Sequence, residues 1–334
     1  MNSFTYSRAD AVATAVRETT ADPVAKFIAG GTNLLDLMKE NVERPGHLVD
    51  ITRLPLHQIE TLPEGGLRLG ALMTNAQTAY HPEVERRYPL LSKTILAGAT
   101  AQLRNMATDG GNLLQRTRCY YFYDTATPCN KREPGTGCSA VGGYNRIHAI
   151  LGTSEHCIAT HPSDMAVALA ALKAVVNVTG PDGERSIELA DFHRLPGDEP
   201  QYDNTLRPGE LITSIDLPAQ GFAEHYTYLK LRDRASYAFA LVSVAVGLDM
   251  DGDTIREARI ALGGVAHKPW RKPEAEALLH GQPATKENFR QVAEALVQGA
   301  KGYSSNTFKI ELAKRAIVRA LQLAVDMQQP SPAL

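Results

Sequence analysis

This chain of 334 residues lacks an excess of either charge and lacks a long apolar run. Its 35 basic and 37 acidic residues nearly cancel, so bulk charge selects no partner and nucleic acid binding gains no support. No apolar stretch is long enough to span a membrane, and residues 1–6 have no basic segment followed by an apolar one. We therefore expect a globular protein with no membrane insertion, no nucleic acid partner and no export signal of its own.

Several signatures of catalysis are missing as well. The sequence has no G-x-G-x-x-G, no P-loop, no nucleophile elbow, no paired-carboxylate signature and no H-E-x-x-H. These absences disfavour a Rossmann cofactor site, a nucleotide hydrolase and a complete hydrolytic enzyme. We therefore assign no catalytic residue to this chain.

Cysteine is scarce, and the four that occur lie close together, at Cys119, Cys129, Cys138 and Cys157. Such clustering favours a joint role over four unrelated core thiols. The spacings match neither paired C-x-x-C zinc knuckles nor a thioredoxin motif. From spacing alone three uses stay open: a [4Fe-4S] cluster, two disulfides, or a zinc site that includes the nearby His156 or His161. The missing export signal counts against disulfides.

Hydrophobic periodicity predicts an α+β arrangement. Helices are expected at residues 9–17 and 33–38, and strands at 25–29, 47–51, 226–231, 238–248 and 255–262. Between residues 119 and 151 the periodicity fails, and prolines and glycines punctuate a long irregular stretch of the kind that is usually functional. Helical spacing in the tail places Lys309, Lys314 and Arg319 off the apolar stripe of the last helix.

Two glycine loops could bind phosphate. In Lys26–Leu34 a buried strand runs into paired glycines and then a helix, where backbone N–H groups can form an anion nest and Thr32 or Asn33 can cap the helix. A second loop, Thr108–Leu113, directly precedes the cysteines, and two such loops could clasp one dinucleotide. The alternative for both is an ordinary tight turn.

Two further features have a functional and a plain interpretation. The aromatic run Tyr120–Tyr123 could shield a cofactor from water or form local core. Lys230 could stabilise negative charge on a flavin or be a solvated cation at a strand edge.

Several motifs, in this order along the chain, carry a resemblance to a known family. They are Phe27–Asn33, Ala107–Leu113, His161–Ala166 and Ala261–Trp270. Together they make the sequence resemble, nearly end to end, the FAD-binding subunit of the molybdenum hydroxylases, the xanthine dehydrogenase and aldehyde oxidoreductase family.

The resemblance implies a fold and a domain order. Residues 1–222 would form a two-subdomain FAD-binding domain of the PCMH (vanillyl-alcohol-oxidase) type, with subdomains 1–57 and 58–222. Residues 223–334 would form an α+β C-terminal domain with a small antiparallel sheet and helices. A cysteine-rich insertion, 114–157, would interrupt the second subdomain.

The resemblance also implies an FAD site. FAD phosphates and ribityl would lie at Lys26, Phe27, Ile28, Ala29, Gly30, Gly31, Thr32, Asn33, Leu34, Thr108, Gly111 and Asn112. Asp164 would bind a ribityl or ribose hydroxyl, Ile212 the ring face, and Lys230 the ring edge. Asp109 departs from the family pattern, which usually has an apolar residue there.

The insertion resembles that of two subgroups, the periplasmic aldehyde oxidoreductases and the 4-hydroxybenzoyl-CoA reductases, whose flavin subunits carry an extra [4Fe-4S] cluster. Cys119, Cys129, Cys138 and Cys157 would be its ligands. The run Arg232–Ala240 looks closest to the aldehyde oxidoreductase.

The expected protein is thus an electron-transfer subunit that works with a molybdenum-cofactor large subunit, a [2Fe-2S] small subunit and an external electron acceptor. It would reach the periplasm by co-export with a partner that carries the signal, the alternative being the cytoplasm. Other functions stay open: a stand-alone flavin oxidoreductase, a flavin subunit of a xanthine dehydrogenase or hydroxybenzoyl-CoA reductase, or a zinc-stabilised binding module.

Overall fold

The computed structural model describes residues 1–327, which form three β-sheets with helices packed against them. The strands are β1 (Thr5–Arg8), β2 (Ala25–Ile28), β3 (His47–Asp50), β4 (Ile59–Thr61), β5 (Leu67–Gly70), β6 (Val175–Gly180), β7 (Gly183–Glu188), β8 (Leu211–Leu217), β9 (His225–Leu231), β10 (Val242–Asp251), β11 (Thr254–Gly263) and β12 (Gln282–Pro283).

The helices are mostly short. They are α1 (Val12–Ala21), α2 (Leu34–Lys39), α3 (Asn75–Ala79), α4 (Pro82–Arg87), α5 (Pro89–Leu96), α6 (Ala101–Arg104), α7 (Asp109–Leu113), α8 (Tyr120–Tyr123), α9 (Ser139–Gly142), α10 (Asp164–Ala171), α11 (Leu189–Phe192), α12 (Pro273–Glu276), α13 (Lys286–Val297) and α14 (Phe308–Val325). None of those within residues 1–327 is long and apolar enough to cross a membrane. The predicted α+β class is confirmed.

The N-terminal sheet is parallel, in the order β1-β3-β2. Helix α1 covers it with Ala15 and Val16, but begins at Val12 rather than at the predicted residue 9. The reason is that the N–H of Ala9 still bonds to the carbonyl of Asp50, so the chain is extended there. The sheet delivers the end of β2 into the first glycine loop.

The middle sheet is antiparallel, in the order β4-β5-β8-β6-β7. Its core includes the apolar helix α10, whose residues Met165–Ala171 are all buried, and α5, which packs against α10. Ser163 caps α10 by accepting a hydrogen bond from the N–H of Ala166. This cap fixes the start of the helix, and with it the position of Asp164.

The C-terminal sheet is antiparallel, in the order β12-β11-β10-β9, and packs against α10 and α14. Strand β10 begins at Val242, four residues after the predicted start at 238, because the chain before it forms the wall of a cavity. The apolar stripe of α14 is confirmed, but Lys309 is fully buried. Its ammonium donates to the carbonyls of His148, at 2.7 Å, and Gly264, at 2.5 Å, and these bonds offset part of the cost of its burial.

Residues 119–151 are irregular, as predicted, and the four-residue α8 and α9 are the only helices within the insertion 114–157. Its own core is built on Phe122, which packs with Leu37 and Ile158. The predicted boundaries at residues 57 and 222 fall between sheets, in the β3–β4 and β8–β9 connections, and stay predictions. Residues 328–334 of the predicted C-terminal domain lie outside the described residues.

Candidate functional site

A cavity of about 670 Å³ opens where the two glycine loops meet the start of α10 and the end of β9. It brings together six of the predicted FAD residues: Thr32, Asn33, Gly111, Asn112, Asp164 and Lys230. The residues come from all three parts of the chain, so only the complete fold forms this cavity. We call it the flavin cavity.

The other predicted FAD residues do not line the flavin cavity. Lys26 is half exposed and lies 3.8 Å from Glu43, and Thr108 caps α7 by accepting a bond from the N–H of Gly111. Ile212 is buried in β8, where its Cβ would lie 3.6 Å from a Cβ on Gly110. Ile212 thus supports the second loop from beneath, and its contact with the flavin ring stays a prediction. The loop residues Phe27–Gly31 and Leu34 adjoin Thr32 and Asn33 without entering the wall.

The two glycine loops touch. A Cβ at Gly30 would lie 1.8 Å from the carbonyl oxygen of Met106, so only glycine permits this approach, and Gly31 has a φ of +69°. The predicted cap of α2 is wrong, because Asn33 at its N-cap makes no capping hydrogen bond. Its side-chain oxygen instead accepts the N–H of Arg116, at 2.8 Å, which ties the first loop to the insertion.

Asp164 and Lys230 form a buried ion pair in the cavity wall. Nζ of Lys230 lies 2.7 Å from Oδ2 of Asp164 and also donates to the carbonyl of Ala97, at 3.2 Å. The hydroxyl of Tyr228 donates to the other oxygen of Asp164. Burial, followed by the charge of Asp164, raises the pKa of Tyr228 well above its ordinary value, so this phenol stays a donor. The pair is neutral overall, and it holds the ammonium of Lys230 at a fixed position in the wall.

All four cysteines line one small second cavity, which we call the cysteine cavity. None of them is in a disulfide, and Cys129 and Cys138 face each other across an isolated antiparallel bridge. Burial raises the pKa of Cys119 to about 12 and that of Cys157 to about 11, so both are neutral thiols when no metal is bound.

Polar groups surround these thiols. Nε2 of His148 lies 3.1 Å from Sγ of Cys119, and the N–H of Ala159 donates to Sγ of Cys157, at 3.4 Å. Burial, followed by the charge of Lys309, lowers the pKa of His148 to about 4, so its ring is neutral. The sulfurs thus have a backbone donor at Ala159 and a neutral imidazole at His148 within hydrogen-bond distance.

The side chains around the cysteine cavity are not grouped to hold a single metal ion such as zinc. Across residues 1–327 no three His, Cys, Asp or Glu side chains are grouped to hold a metal ion. The zinc alternative with His156 or His161 therefore loses its support. A [4Fe-4S] cluster spreads four thiolates over four irons, so it needs sulfurs further apart than a single ion does. The space between the four thiols is about 10 Å³, close to the room that one water molecule needs, so a cluster would require them to move apart.

The two cavities share a wall. Along the chain Thr117, Cys119 and Tyr121 face the cysteine cavity, while Arg118 and Tyr120 face the flavin cavity. The cavities also meet at residues 157–161, where Cys157 and Ala159 line the cysteine cavity and Thr160 and His161 line the flavin cavity. Residues that are neighbours in the chain thus line different cavities.

A buried carboxylate holds the insertion to the rest of the fold. Asp203 accepts from Nε of Arg116, at 2.7 Å, and from Nζ of Lys131, at 2.6 Å, and lies 3.2 Å from Nε2 of His267. Although burial opposes its ionisation, the charges of Arg116 and Lys131 hold the pKa of Asp203 well below the ordinary value. Sequence reasoning missed Asp203, because its partners are distant in the chain.

A larger groove, of about 1260 Å³, runs between α1 and the outer face of the middle sheet. Its charged side chains pair with neighbours, as Arg68 does with Asp216 and Arg185 with Glu210. It contains no glycine loop and no cysteine, so we assign it no cofactor.

Comparison with known proteins shows the family of this chain. Residues 2–220 match the family described as the FAD binding domain in molybdopterin dehydrogenase, and residues 226–324 match the CO dehydrogenase flavoprotein C-terminal domain. The chain belongs to this family, the FAD-binding subunits of the molybdenum hydroxylases, and is an oxidoreductase subunit.

Individual relatives cover nearly the whole chain. It is 53% identical to the aldehyde oxidoreductase FAD-binding subunit PaoB of Escherichia coli, over 96% of this chain and 98% of the relative. It is 26% identical to the carbon monoxide dehydrogenase medium chain of Afipia carboxidovorans, over 96% of each chain. The solved carbon monoxide dehydrogenase of Hydrogenophaga pseudoflava aligns with a TM-score of 0.76 at 26% identity, covering 97% of this chain and 98% of the other.

Proposed function

We propose that this chain is the FAD- and [4Fe-4S]-containing electron-transfer subunit of a heterotrimeric, molybdenum-dependent aldehyde oxidoreductase. In this role it passes electrons from the molybdenum and [2Fe-2S] subunits to an external acceptor. The observation that carries the proposal is the pair of adjoining cavities, one formed by the two glycine loops and the other by four free thiols.

The flavin cavity suits an anionic dinucleotide. Thr32 and Asn33 of the first loop and Gly111 and Asn112 of the second loop line its wall. The buried cation Lys230 lines it as well. Glycine loops expose backbone N–H groups to phosphate oxygens, and a cation favours negative charge on a bound ring. These contacts with FAD are part of the proposal.

For the cysteine cavity we propose an iron–sulfur cluster, because four free thiols line it. Cys119, Cys129, Cys138 and Cys157 would each bind one iron, and the donors at His148 and Ala159 would stabilise the sulfurs. Buried Lys131 would offset part of the negative charge, since it lies in the same wall.

The chemistry would come from the bound groups, since FAD exchanges one or two electrons and an iron–sulfur cluster exchanges one. The protein's own residues orient, shield and charge these sites. Asp164 holds the ammonium of Lys230 in one wall, while burial keeps Cys119 and Cys157 away from water. We place substrate oxidation in the molybdenum subunit of the proposed complex.

The substrate class and the partners come from similarity. The 53% identical relative is named as a subunit of an aldehyde oxidoreductase, and the carbon monoxide dehydrogenase relatives are named as medium chains. A periplasmic address, reached by co-export with a partner that carries the signal, is supported by resemblance alone. Cell fractionation with and without that partner's signal tests it.

Cofactor content is the direct test. We expect anaerobically purified protein to hold one FAD and about four irons per chain, with both absorptions bleached by dithionite. Iron-free flavoprotein would overturn the cluster, and a colourless protein that takes up no FAD would overturn the flavin site. Reduction of the flavin by aldehyde in the isolated chain would instead favour a stand-alone oxidoreductase.

A further inference from the structure

A chain of hydrogen bonds leads from the flavin cavity to a carboxylate that does not line it. Asp109 is fully buried at the start of α7, with no cation in contact. Its Oδ1 accepts from the amide of Asn75, at 2.8 Å, and its Oδ2 from the hydroxyl of Thr78, at 2.5 Å. Burying a carboxyl group here is costly, which calls for a reason beyond packing.

The chain continues through three more residues. The carbonyl oxygen of Asn75 accepts from the amide of Asn112, at 2.7 Å, and the carbonyl oxygen of Asn112 accepts from the hydroxyl of Ser163, at 2.5 Å. Ser163 in turn accepts the N–H of Ala166, at 2.9 Å, and so caps α10. Four hydrogen bonds thus run in one direction, from the first turn of α10 to Asp109.

That direction follows from the chemistry of the last acceptor. Burial raises the pKa of Asp109 to about 7, so its carboxyl group is partly protonated at neutral pH. A proton on Oδ2 can be donated to the hydroxyl of Thr78, so Oδ1 is an acceptor in both forms and Asn75 turns its NH₂ group towards it. Its carbonyl is then left for Asn112, which must turn its own NH₂ group towards Asn75. Each amide could be reversed if considered alone, but the acceptor at the end favours one orientation. The amide of Gln115 supports the same orientation, since it donates to the side-chain oxygen of Asn112, at 3.0 Å.

We infer that Asp109 is a positioning residue of the flavin site, which sets the orientation of the Asn112 amide and the cap of the helix that carries Asp164. The inference rests on the proposed FAD site, since Asn112 and Asp164 both line the flavin cavity. In the enforced orientation Asn112 keeps one further N–H for a ligand. Reversed, it would offer a carbonyl oxygen, which repels a phosphate.

Three substitutions separate this role from general stability. Asp109→Leu removes the acceptor, while Asp109→Asn keeps one acceptor oxygen for Asn75, because the hydroxyl of Thr78 can rotate to accept the new NH₂ group. Thr78→Val is the matched control, since it removes the other hydrogen bond of the same carboxylate and leaves the chain intact. The full chain is stripped of flavin and titrated with FAD, and binding is followed by flavin fluorescence.

We expect Asp109→Leu to weaken FAD binding roughly 10-fold or more, the size of one hydrogen bond to a charged group. Asp109→Asn and Thr78→Val should stay within about 2-fold of wild type. In an Asn112→Ala background the effect of Asp109→Leu should disappear, because Asn112 transmits it. Should the Asp109→Leu chain fail to fold, Asn75→Ala breaks the next link and must show the same loss and the same non-additivity.

The outcomes are distinct. An Asp109→Leu chain that binds FAD as wild type does would overturn the role of Asp109 alone. The same holds if Thr78→Val weakens binding equally, or if the effect of Asp109→Leu persists without Asn112. A wild-type chain that takes up no FAD would overturn the proposed flavin site itself.

Discussion

Nζ of Lys230 lies 2.7 Å from Oδ2 of Asp164, and both side chains are at most 10% exposed. Lys230 belongs to β9 of the C-terminal sheet and Asp164 to the first turn of α10, so this ion pair joins two parts of the chain in the wall of the flavin cavity. A buried pair of this kind is costly to break from one side, because the remaining charge has no partner.

Replacing Lys230 with Met should therefore destabilise the protein by roughly 3–5 kcal/mol and reduce its FAD content. Asp164→Asn in the same chain should recover most of the stability, since no charge is then left alone, but not the FAD. Thermal unfolding and flavin content measure both effects. Equal stability of the Lys230→Met and wild-type chains would contradict the buried pair.

Gly30→Ala should separate the two glycine loops. The added Cβ would lie 1.8 Å from the carbonyl oxygen of Met106, and that backbone atom cannot move aside without its loop. We expect a loss of at least about 1–3 kcal/mol of stability and weaker FAD binding. Gly142→Ala is the control, because a Cβ there meets nothing within 4 Å. Similar behaviour of the two variants would argue against close contact of the loops.

Cys138→Ser should remove or degrade the cluster and leave FAD in place, because Cys138 lines the cysteine cavity and not the flavin cavity. Iron analysis and FAD content on anaerobic protein are the measurements. Ser139→Ala changes the next residue of the same wall without removing a thiol, so its iron should be unchanged. Unaltered flavin reduction rates in a Cys138→Ser complex would assign the cluster a structural role, and undiminished iron would exclude Cys138 as a ligand.

Lys309 should make stability depend on alkaline pH. Burial, with a smaller contribution from the charge of Arg146, lowers its pKa from 10.5 to about 7. Between these values the folded chain binds fewer protons than the unfolded chain, so the free energy of unfolding rises as the pH increases from 7 to 10.5, by up to about 5 kcal/mol. Denaturant unfolding of the wild-type and Lys309→Met chains measures the difference, with Lys314→Met on the same helix as control. Parallel pH curves for wild type and Lys309→Met would contradict it.

Local signals predicted the glycine loops, the irregular stretch and the helices α1, α2 and α14, because paired glycines and apolar periodicity act over a few residues. The cysteines were predicted to act together, and the structure brings all four to one cavity. What the sequence did not reveal depends on contacts between distant residues. Asn75 reads as an ordinary helix start, and only the fold brings it to Asp109 and Asn112.

The wrong predictions also arose where contacts between distant residues decide the structure. Lys309 lies off the apolar stripe by helical spacing, yet carbonyls of His148 and Gly264 provide a buried polar pocket for it. Asn33 has the right residue type for a cap, but its side-chain oxygen accepts a hydrogen bond from the N–H of Arg116, far along the chain. Local preference loses at both positions to a tertiary partner.

The insertion 114–157 is not an independent structural unit. Because residues 117–121 alternate between two cavities, cutting out 114–157 would also take Gln115, Arg118, Tyr120 and Ile147 from the wall around the flavin. A shortened descendant of this protein, whether natural or designed, would have to rebuild that wall with other side chains. Gain or loss of the insertion would therefore change the flavin cavity and the cysteine cavity together.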